Sequence, residues 1–261
     1  MKTLRLVSCF FFVGVLSSCV DLEENIVINE DNSGVYSVSF DLGKMIGMSK
    51  QMGSGNGENK ELEKKDSTIY LKDLIQNSDS LTAAEKELYK DGYINIKLDE
   101  ANDQMKIAMI CPFRSINNLK EIKENFMKVL DKLKAFEKLT GKQKEAVAEE
   151  SDSEMASKVM SPGSVDNAVF TAEPGKITNT FFNTEDYKKE IKSDSLMVAM
   201  QTLSAIMGEM TYKTTITTPV PIKNYAGNNA MLSDNKKTIS FKNTLTEMME
   251  HPEKLSYKVE Y

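Results

Sequence analysis

The sequence contains no tryptophan, a single histidine and only three cysteines. With His251 as its one imidazole, the chain cannot assemble a histidine-based zinc site, and any Ser-His-Asp or Cys-His arrangement would have to use that residue. No G-x-S-x-G element supplies a nucleophile elbow, and no tryptophan offers a platform for a sugar ring. The sequence therefore predicts no catalytic residue, no metal site and no bound cofactor. His251 precedes Pro252 and is expected at a helix end.

Basic residues are also in deficit. The chain has 261 residues, with 33 Lys and Arg against 39 Asp and Glu, which gives a net charge of −6. An acidic chain without a basic block is poorly suited to phosphate backbones, so nucleic acid is not expected as a partner. The length is sufficient for one large or two small domains with real cores.

The N-terminal segment has the layout of an export signal. Lys2 and Arg5 form a basic start, and the apolar run over residues 6–16 is shorter than the roughly 20 residues that span a bilayer. The segment ends in Leu16-Ser17-Ser18-Cys19, which resembles the lipobox of bacterial lipoproteins. The resemblance implies cleavage after Ser18, a diacylglyceryl group on the Cys19 thiol, and an acyl chain such as palmitate on the new amine. An ordinary cleaved signal with an incidental Cys19 is the alternative.

Lipid on Cys19 would fix the protein to a membrane. Each buried methylene contributes roughly 0.8 kcal/mol and one chain binds only reversibly, so two or three chains make a stable anchor. Val20 stands where some inner-membrane lipoproteins have aspartate, and Asp21, Glu23 and Glu24 resemble the surface-export signal of Bacteroidota lipoproteins. We therefore expect a lipid-anchored protein of the bacterial cell envelope. The outer membrane is favoured, and periplasmic and outward-facing placements are both open.

The remaining motifs have simpler structural explanations. Cys9 leaves with the signal and Cys19 is lipidated, so Cys111 has no partner for a disulfide and is predicted to be a small buried hydrophobe. The segment of residues 29–34 is a turn and not a calcium loop, because the twelfth position lacks glutamate. The thioethers of Met45, Met48 and Met52 are soft ligands that could bind copper(I). Their helical spacing is better explained by an apolar helix face, which is the preferred interpretation. Ser233-Asp234-Asn235 matches one β-lactamase element, but the S-x-x-K and K-T-G elements that must accompany it are missing. It is therefore predicted to be a turn.

Hydrophobic periodicity predicts an α+β fold, in which antiparallel β-hairpins pack against two long amphipathic helices. Hairpins are predicted over residues 22–42, 93–113 and 168–182. Further strands are predicted over residues 211–218, 238–242 and 255–261. The two long helices are placed at residues 117–139 and 184–207, and the lysines and glutamates of the first are expected to face solvent. Shorter helices begin at Thr82, where Glu85 makes a capping box, and at Thr244.

Composition divides the chain into four parts. Residues 1–18 are the signal peptide, and residues 19–140 form an N-terminal α+β part. Residues 141–167 are acidic and poor in large apolar side chains, which predicts a flexible linker or insertion. Residues 168–261 form a C-terminal α+β part that either completes the same domain or makes a second one.

The first hairpin, with its Asp-x-Ser-Gly turn, and the late segment Glu173-Pro174-Gly175-Lys176-Ile177 carry a second resemblance. They are similar to the β-rich domains of uncharacterised Bacteroidota lipoproteins and of the LppM-like group. This resemblance implies an envelope protein and assigns no site residues.

The sequence predicts a non-enzymatic binding or scaffolding module. Its expected partners are the membrane, through the lipid on Cys19, and either an envelope protein or an apolar ligand. One alternative is a carrier that encloses an apolar ligand such as a lipid. The other, which is the least favoured, is a carboxylate-dependent hydrolase, since so many acidic residues always allow two carboxylates to meet.

Overall fold

The computed structural model describes residues 21–44, 64–76, 78–135, 168–182, 184–193 and 208–261, with the single positions 47, 198, 201, 202 and 204. The predicted signal, Cys19, the methionines at 45, 48 and 52, and the predicted linker lie outside these residues. Within the described part, no helix is long and apolar enough to cross a membrane.

Strands make up most of the regular structure in the described residues. In chain order they are β1 (Asp21–Ile28), β2 (Gly34–Asp41), β3 (Lys64–Tyr70), β4 (Tyr93–Asp99), β5 (Gln104–Phe113), β6 (Ala168–Glu173), β7 (Lys176–Phe181), β8 (Thr211–Thr217), β9 (Asn224–Gly227), β10 (Ala230–Leu232), β11 (Thr238–Thr244) and β12 (Tyr257–Glu260).

These strands form two sheets. The larger has eight strands in the order β10-β11-β8-β1-β2-β5-β4-β3, and the smaller has four in the order β6-β7-β12-β9. Only the β1–β8 pair is parallel among the described pairs; the others are antiparallel. Because β1 lies between β2 and β8, strands from the predicted N-terminal and C-terminal parts share one sheet.

Helices pack against these strands. They are α1 (Leu71–Ile75), α2 (Ala83–Tyr89), α3 (Leu119–Lys132), α4 (Thr184–Ser193) and α5 (Leu245–Glu250), with short 3-10 turns at Glu100–Asn102, Ile116–Asn118 and Pro252–Leu255. The predicted capping box at the start of α2 is present: the Glu85 amide donates to the Thr82 hydroxyl at 3.2 Å, and the Thr82 amide donates to the Glu85 carboxylate at 2.8 Å.

The core lies between the inner face of the large sheet, α3 and the small sheet. Alternate residues of β1 and β2 point inward, as the period of two requires. On α3, Phe126 stacks on Tyr89 with ring centroids 5.9 Å apart and meets Tyr36 edge-on at 6.3 Å. Cys111 is buried, as predicted.

The mixed α+β architecture with antiparallel-rich sheets is confirmed, but two long amphipathic helices are not. The first is shorter than predicted, since α3 ends at Lys132. The second is described continuously only as α4, which ends at Ser193. The prediction that the lysines of α3 all face solvent is wrong for Lys123, which is buried.

Three strands, β3, β9 and β10, form in segments where no strand was predicted. β3 begins in the charged residues 64–66 and pairs along its whole length with β4. β9 pairs with β12, and β10 pairs with β11. In each case hydrogen bonding to an adjacent strand outweighs weak local propensity.

Gly34, the first residue of β2, lies where no side chain fits. A Cβ at this position would lie 2.0 Å from the Val27 carbonyl oxygen and 2.4 Å from the Phe113 ring. Forcing a methyl group into this space requires backbone shifts. We expect Gly34→Ala to lower the free energy of unfolding by about 1–3 kcal/mol.

Urea unfolding followed by far-UV circular dichroism measures this change. Ser37→Ala, on the outer face of the same strand, is the matched control and should stay within about 0.5 kcal/mol of the wild type. Equal unfolding midpoints for the two variants would show that Gly34 is not required by close packing.

Candidate functional site

A surface cavity of about 350 Å³ opens where α2, the end of β5 and the start of α3 meet. It forms because Phe113 ends β5 and the chain then turns through Ile116–Asn118 directly into α3. Its lining contains three acidic side chains and one guanidinium among small, amide and apolar groups: Ala84, Glu87, Leu88, Asp91, Pro112, Phe113, Arg114, Asn118 and Glu121.

Arg114 links two carboxylates of the lining. Its Nη1 donates to Glu87 Oε1 at 3.4 Å and its Nη2 donates to Asp91 Oδ2 at 3.3 Å. Lys90 donates to the same Glu87 oxygen at 2.6 Å. The hydrogen bond and charge of Lys90, followed by the charge of Arg114, lower the pKa of Glu87. Glu87 is therefore a carboxylate at neutral pH.

The excess of carboxylates suits the cavity to a ligand with a positively charged group. The side chain of Arg114 is 72% exposed and its contacts are long, so its ion pairs contribute little and can be exchanged for another cation. The cavity is open at the surface and has charged groups in its lining, whereas a lipid chain needs an enclosed and mostly apolar site.

General acid chemistry needs a carboxyl group with a raised pKa. Among the described residues, every carboxyl group with a resolved shift has its pKa lowered: Glu24, Asp31, Glu85, Glu87, Asp99, Glu247, Glu253 and Glu260. None of these eight carboxyl groups is thus held protonated as a general acid.

A second polar centre is buried in the core around Glu24, which is 1% exposed on the inner face of β1. Glu24 Oε1 accepts hydrogen bonds from the Tyr36 hydroxyl at 3.0 Å and from the Lys123 ammonium. Glu24 Oε2 accepts from the Tyr212 hydroxyl at 2.7 Å and from the Thr214 hydroxyl at 3.1 Å. Both oxygens of the buried carboxylate are therefore satisfied by donors from β2, β8 and α3.

These donors decide the charge state of Glu24. Burial alone raises the pKa of a carboxyl group, but the charge of Lys123 and hydrogen bonds from Lys123, Tyr212 and Tyr36 outweigh it, so the pKa of Glu24 is lowered. Burial, and then the Glu24 charge, raise the pKa of Tyr212. Glu24 is thus an ionised carboxylate paired with a buried ammonium.

Lys123 joins this pair to the small sheet. The residue is 2% exposed, and its Nζ lies 5.3 Å from the ring centroid of Phe170 on β6. A cation at this distance from an aromatic ring is attracted by the ring quadrupole. One buried charge pair therefore connects the large sheet, α3 and the small sheet.

The residues that the sequence analysis considered as possible functional groups do not lie together in one site. Burial raises the pKa of Cys111 to about 12, as expected of a structural cysteine. His251 follows α5, as predicted, and its Nδ1 lies 3.1 Å from the Glu253 carboxylate. Ser233 donates to the Asn235 side chain at 2.7 Å within a turn. Cys19 lies outside the described residues.

Sequence reasoning missed both polar centres. Glu24 occupies an inward position of β1 between apolar residues, and Lys123 interrupts the apolar stripe of α3, so each carried a local signal. The two residues are separated by 99 positions, and nothing local joins them. The cavity carried no sequence signal, because its lining comes from three separate elements.

No protein-family model and no curated protein matches the sequence. Among solved structures, the chain is similar to the NMR structure of the folded domain of the Mycobacterium tuberculosis LppM protein. The two are 6% identical, and the alignment covers 94% of this chain and 91% of that chain with a TM-score of 0.32. At this score the likeness supports no conclusion about fold or function.

The buried pair predicts a pH-dependent effect of Lys123→Met. The variant leaves Glu24 buried without its cation, which should lower the free energy of unfolding at pH 7.5 by about 3–5 kcal/mol. In the wild type, the lowered pKa of Glu24 means that its stabilisation is present above its ordinary value of 4.5 and is lost as the pH falls through the folded pKa. Without Lys123, burial raises that pKa, so stability is lost as the pH rises through it.

The difference in stability between wild type and variant should therefore be smaller at pH 5 than at pH 7.5, as measured by urea unfolding at both pH values. Lys120→Met, on the exposed side of α3, is the matched control and should change little. A difference that is the same at both pH values, or no larger than that of the control, would contradict the buried pair.

Proposed function

We propose that this is a lipid-anchored protein of the bacterial cell envelope, with its acyl chains on Cys19 and a folded part that acts as a non-enzymatic binding or scaffolding module. The observation that carries the proposal is the position of Leu16-Ser17-Ser18-Cys19, directly before the first described strand. Since β1 begins at Asp21, cleavage after Ser18 leaves every described element intact.

The location follows from the anchor. Two or three acyl chains, palmitate among them, give the stable attachment that one chain cannot give. Val20 in place of aspartate favours the outer membrane. Of the acidic residues after the anchor, Glu24 is buried in the folded protein, which removes it from any surface-export signal.

The cavity beside Arg114 supports a binding role. Its carboxylates favour a partner that offers a lysine or arginine side chain, and Arg114 is the group that such a side chain would displace. An envelope protein with a basic segment therefore fits the cavity better than an apolar ligand does. This cavity does not support the carrier alternative.

The anchor is tested by metabolic labelling. Labelled palmitate should enter the wild-type protein in its native host and fail to enter Cys19→Ala, because the thiol and the adjacent new amine are the acceptors. Cys111→Ala is the matched control and should be labelled like the wild type, since Cys111 is buried. Equal labelling of wild type and Cys19→Ala, or no labelling of either, would refute the proposal.

The binding role is tested by photo-crosslinking in intact cells. A photoreactive residue at Asn118, in the cavity lining, should give a defined protein adduct, whereas one at Ser240 on the outer face of β11 should not. Asp91→Lys should remove the Asn118 adduct, because it reverses a charge that attracts the partner. An adduct that is the same at both positions, or that survives the charge reversal, would argue against the cavity as the contact region.

A further inference from the structure

Almost no chain separates the predicted anchor from the centre of the large sheet. Only Val20 lies between Cys19 and Asp21. Asp21 is already in register with Asp41 of β2 and Thr211 of β8. One residue of extended chain spans at most about 3.6 Å, so the Cα of Cys19 lies within about 7 Å of the first residue of β1. The predicted site of lipid attachment is thus separated by one residue from a central strand of the sheet.

The end of the large sheet at which β1 begins is called the near end, because it is next to Cys19, and the opposite end is called the far end. The near end contains the row Thr211–Asp21–Asp41–Lys106–Lys97, which runs across five strands in register. The far end contains the pair Ile28–Gly34 and the turn between them. β1 has eight residues, so about 24 Å of strand separates the two ends.

The near end has the chemistry of a surface that lies on lipid headgroups. Lysines are directly opposite each other in two cross-strand pairs, Lys97 with Lys106 and Lys213 with Lys242, and like charges in this position repel. Carboxylates are interspersed, as where Glu23 lies 3.8 Å from Lys213. Such a surface cannot enter hydrocarbon, but it matches a layer of phosphates and amines.

The cavity lies at the far end. Phe113 is in register with Gly34, and Arg114 follows it directly. α2 and the start of α3 meet the sheet at the same end, since both contribute to the cavity lining. The cavity that binds a partner is therefore separated from the anchor by the length of β1.

We propose that the near end of the large sheet is a membrane-facing surface that lies on the headgroups of the leaflet holding the Cys19 lipid, and that this contact points the Arg114 cavity away from the membrane. The inference rests on the proposed lipid anchor and deepens it, because it assigns one orientation to the folded part. The occupant of the near end is the polar surface of the bilayer itself.

The experiment uses the lipidated full-length protein, purified from producing cells and reconstituted in vesicles of phosphatidylethanolamine and phosphatidylglycerol. A fluorophore is attached to Lys106→Cys at the near end or to Glu30→Cys at the far end, both of them exposed positions. Some lipids carry a short-range nitroxide quencher on the headgroup. Quenching should be several-fold stronger at position 106 than at position 30.

A second variant tests whether the short connection is the cause. Inserting about 12 Gly and Ser residues between Val20 and Asp21 adds roughly 20 Å of flexible reach. Quenching at position 106 should fall toward the value at position 30, while palmitate incorporation stays the same.

The outcomes separate the two proposals. Equal quenching at both positions in a palmitate-labelled protein, or quenching at position 106 that the insertion leaves unchanged, would overturn the membrane-facing surface and leave the anchor in place. Absence of palmitate from the wild-type protein would overturn both.

Discussion

The buried Glu24–Lys123 pair is the interaction on which the rest of the structure depends. Two charges taken out of water are costly, and only a fully hydrogen-bonded arrangement offsets that cost. Here hydroxyls from β2 and β8 and the ammonium from α3 meet both carboxylate oxygens. A slip of one residue in β1 would turn Glu24 to the opposite face, so the pair also fixes the register of the central strand. Glu24 on β1 is therefore connected through Lys123 of α3 to Phe170 in the small sheet. β1 is also the strand that directly follows the predicted anchor.

Local features of the fold follow from the sequence. The hairpin of β1 and β2 was predictable because alternating Ile26 and Ile28, a polar turn and a second alternating run are all contiguous. The capping box at Thr82 and the helix α3 were predictable for the same reason, because each is indicated by residues close together in the sequence. In each case the interactions that decide the structure lie within one turn, hairpin or helix.

Long-range features did not follow from the sequence. The parallel pairing of β1 with β8 joins residues such as Glu24 and Thr214, which are 190 positions apart. The inward position of Glu24 and the place of Lys123 in an apolar stripe were visible, but either residue alone resembles a surface charge. The cavity at Arg114 depends on how α2, β5 and α3 meet, and its side chains have no shared spacing.

If β1 joins the predicted anchor to the core, its backbone should be among the last to open. The most direct test is hydrogen exchange, measured by mass spectrometry on peptides of the lipidated protein. Peptides from residues 22–28 should exchange as slowly as those from β5 and α3, through global unfolding alone. Exchange of those peptides at the rate of the turn at residues 29–33 would contradict the account, because β1 would then be a strand that opens locally.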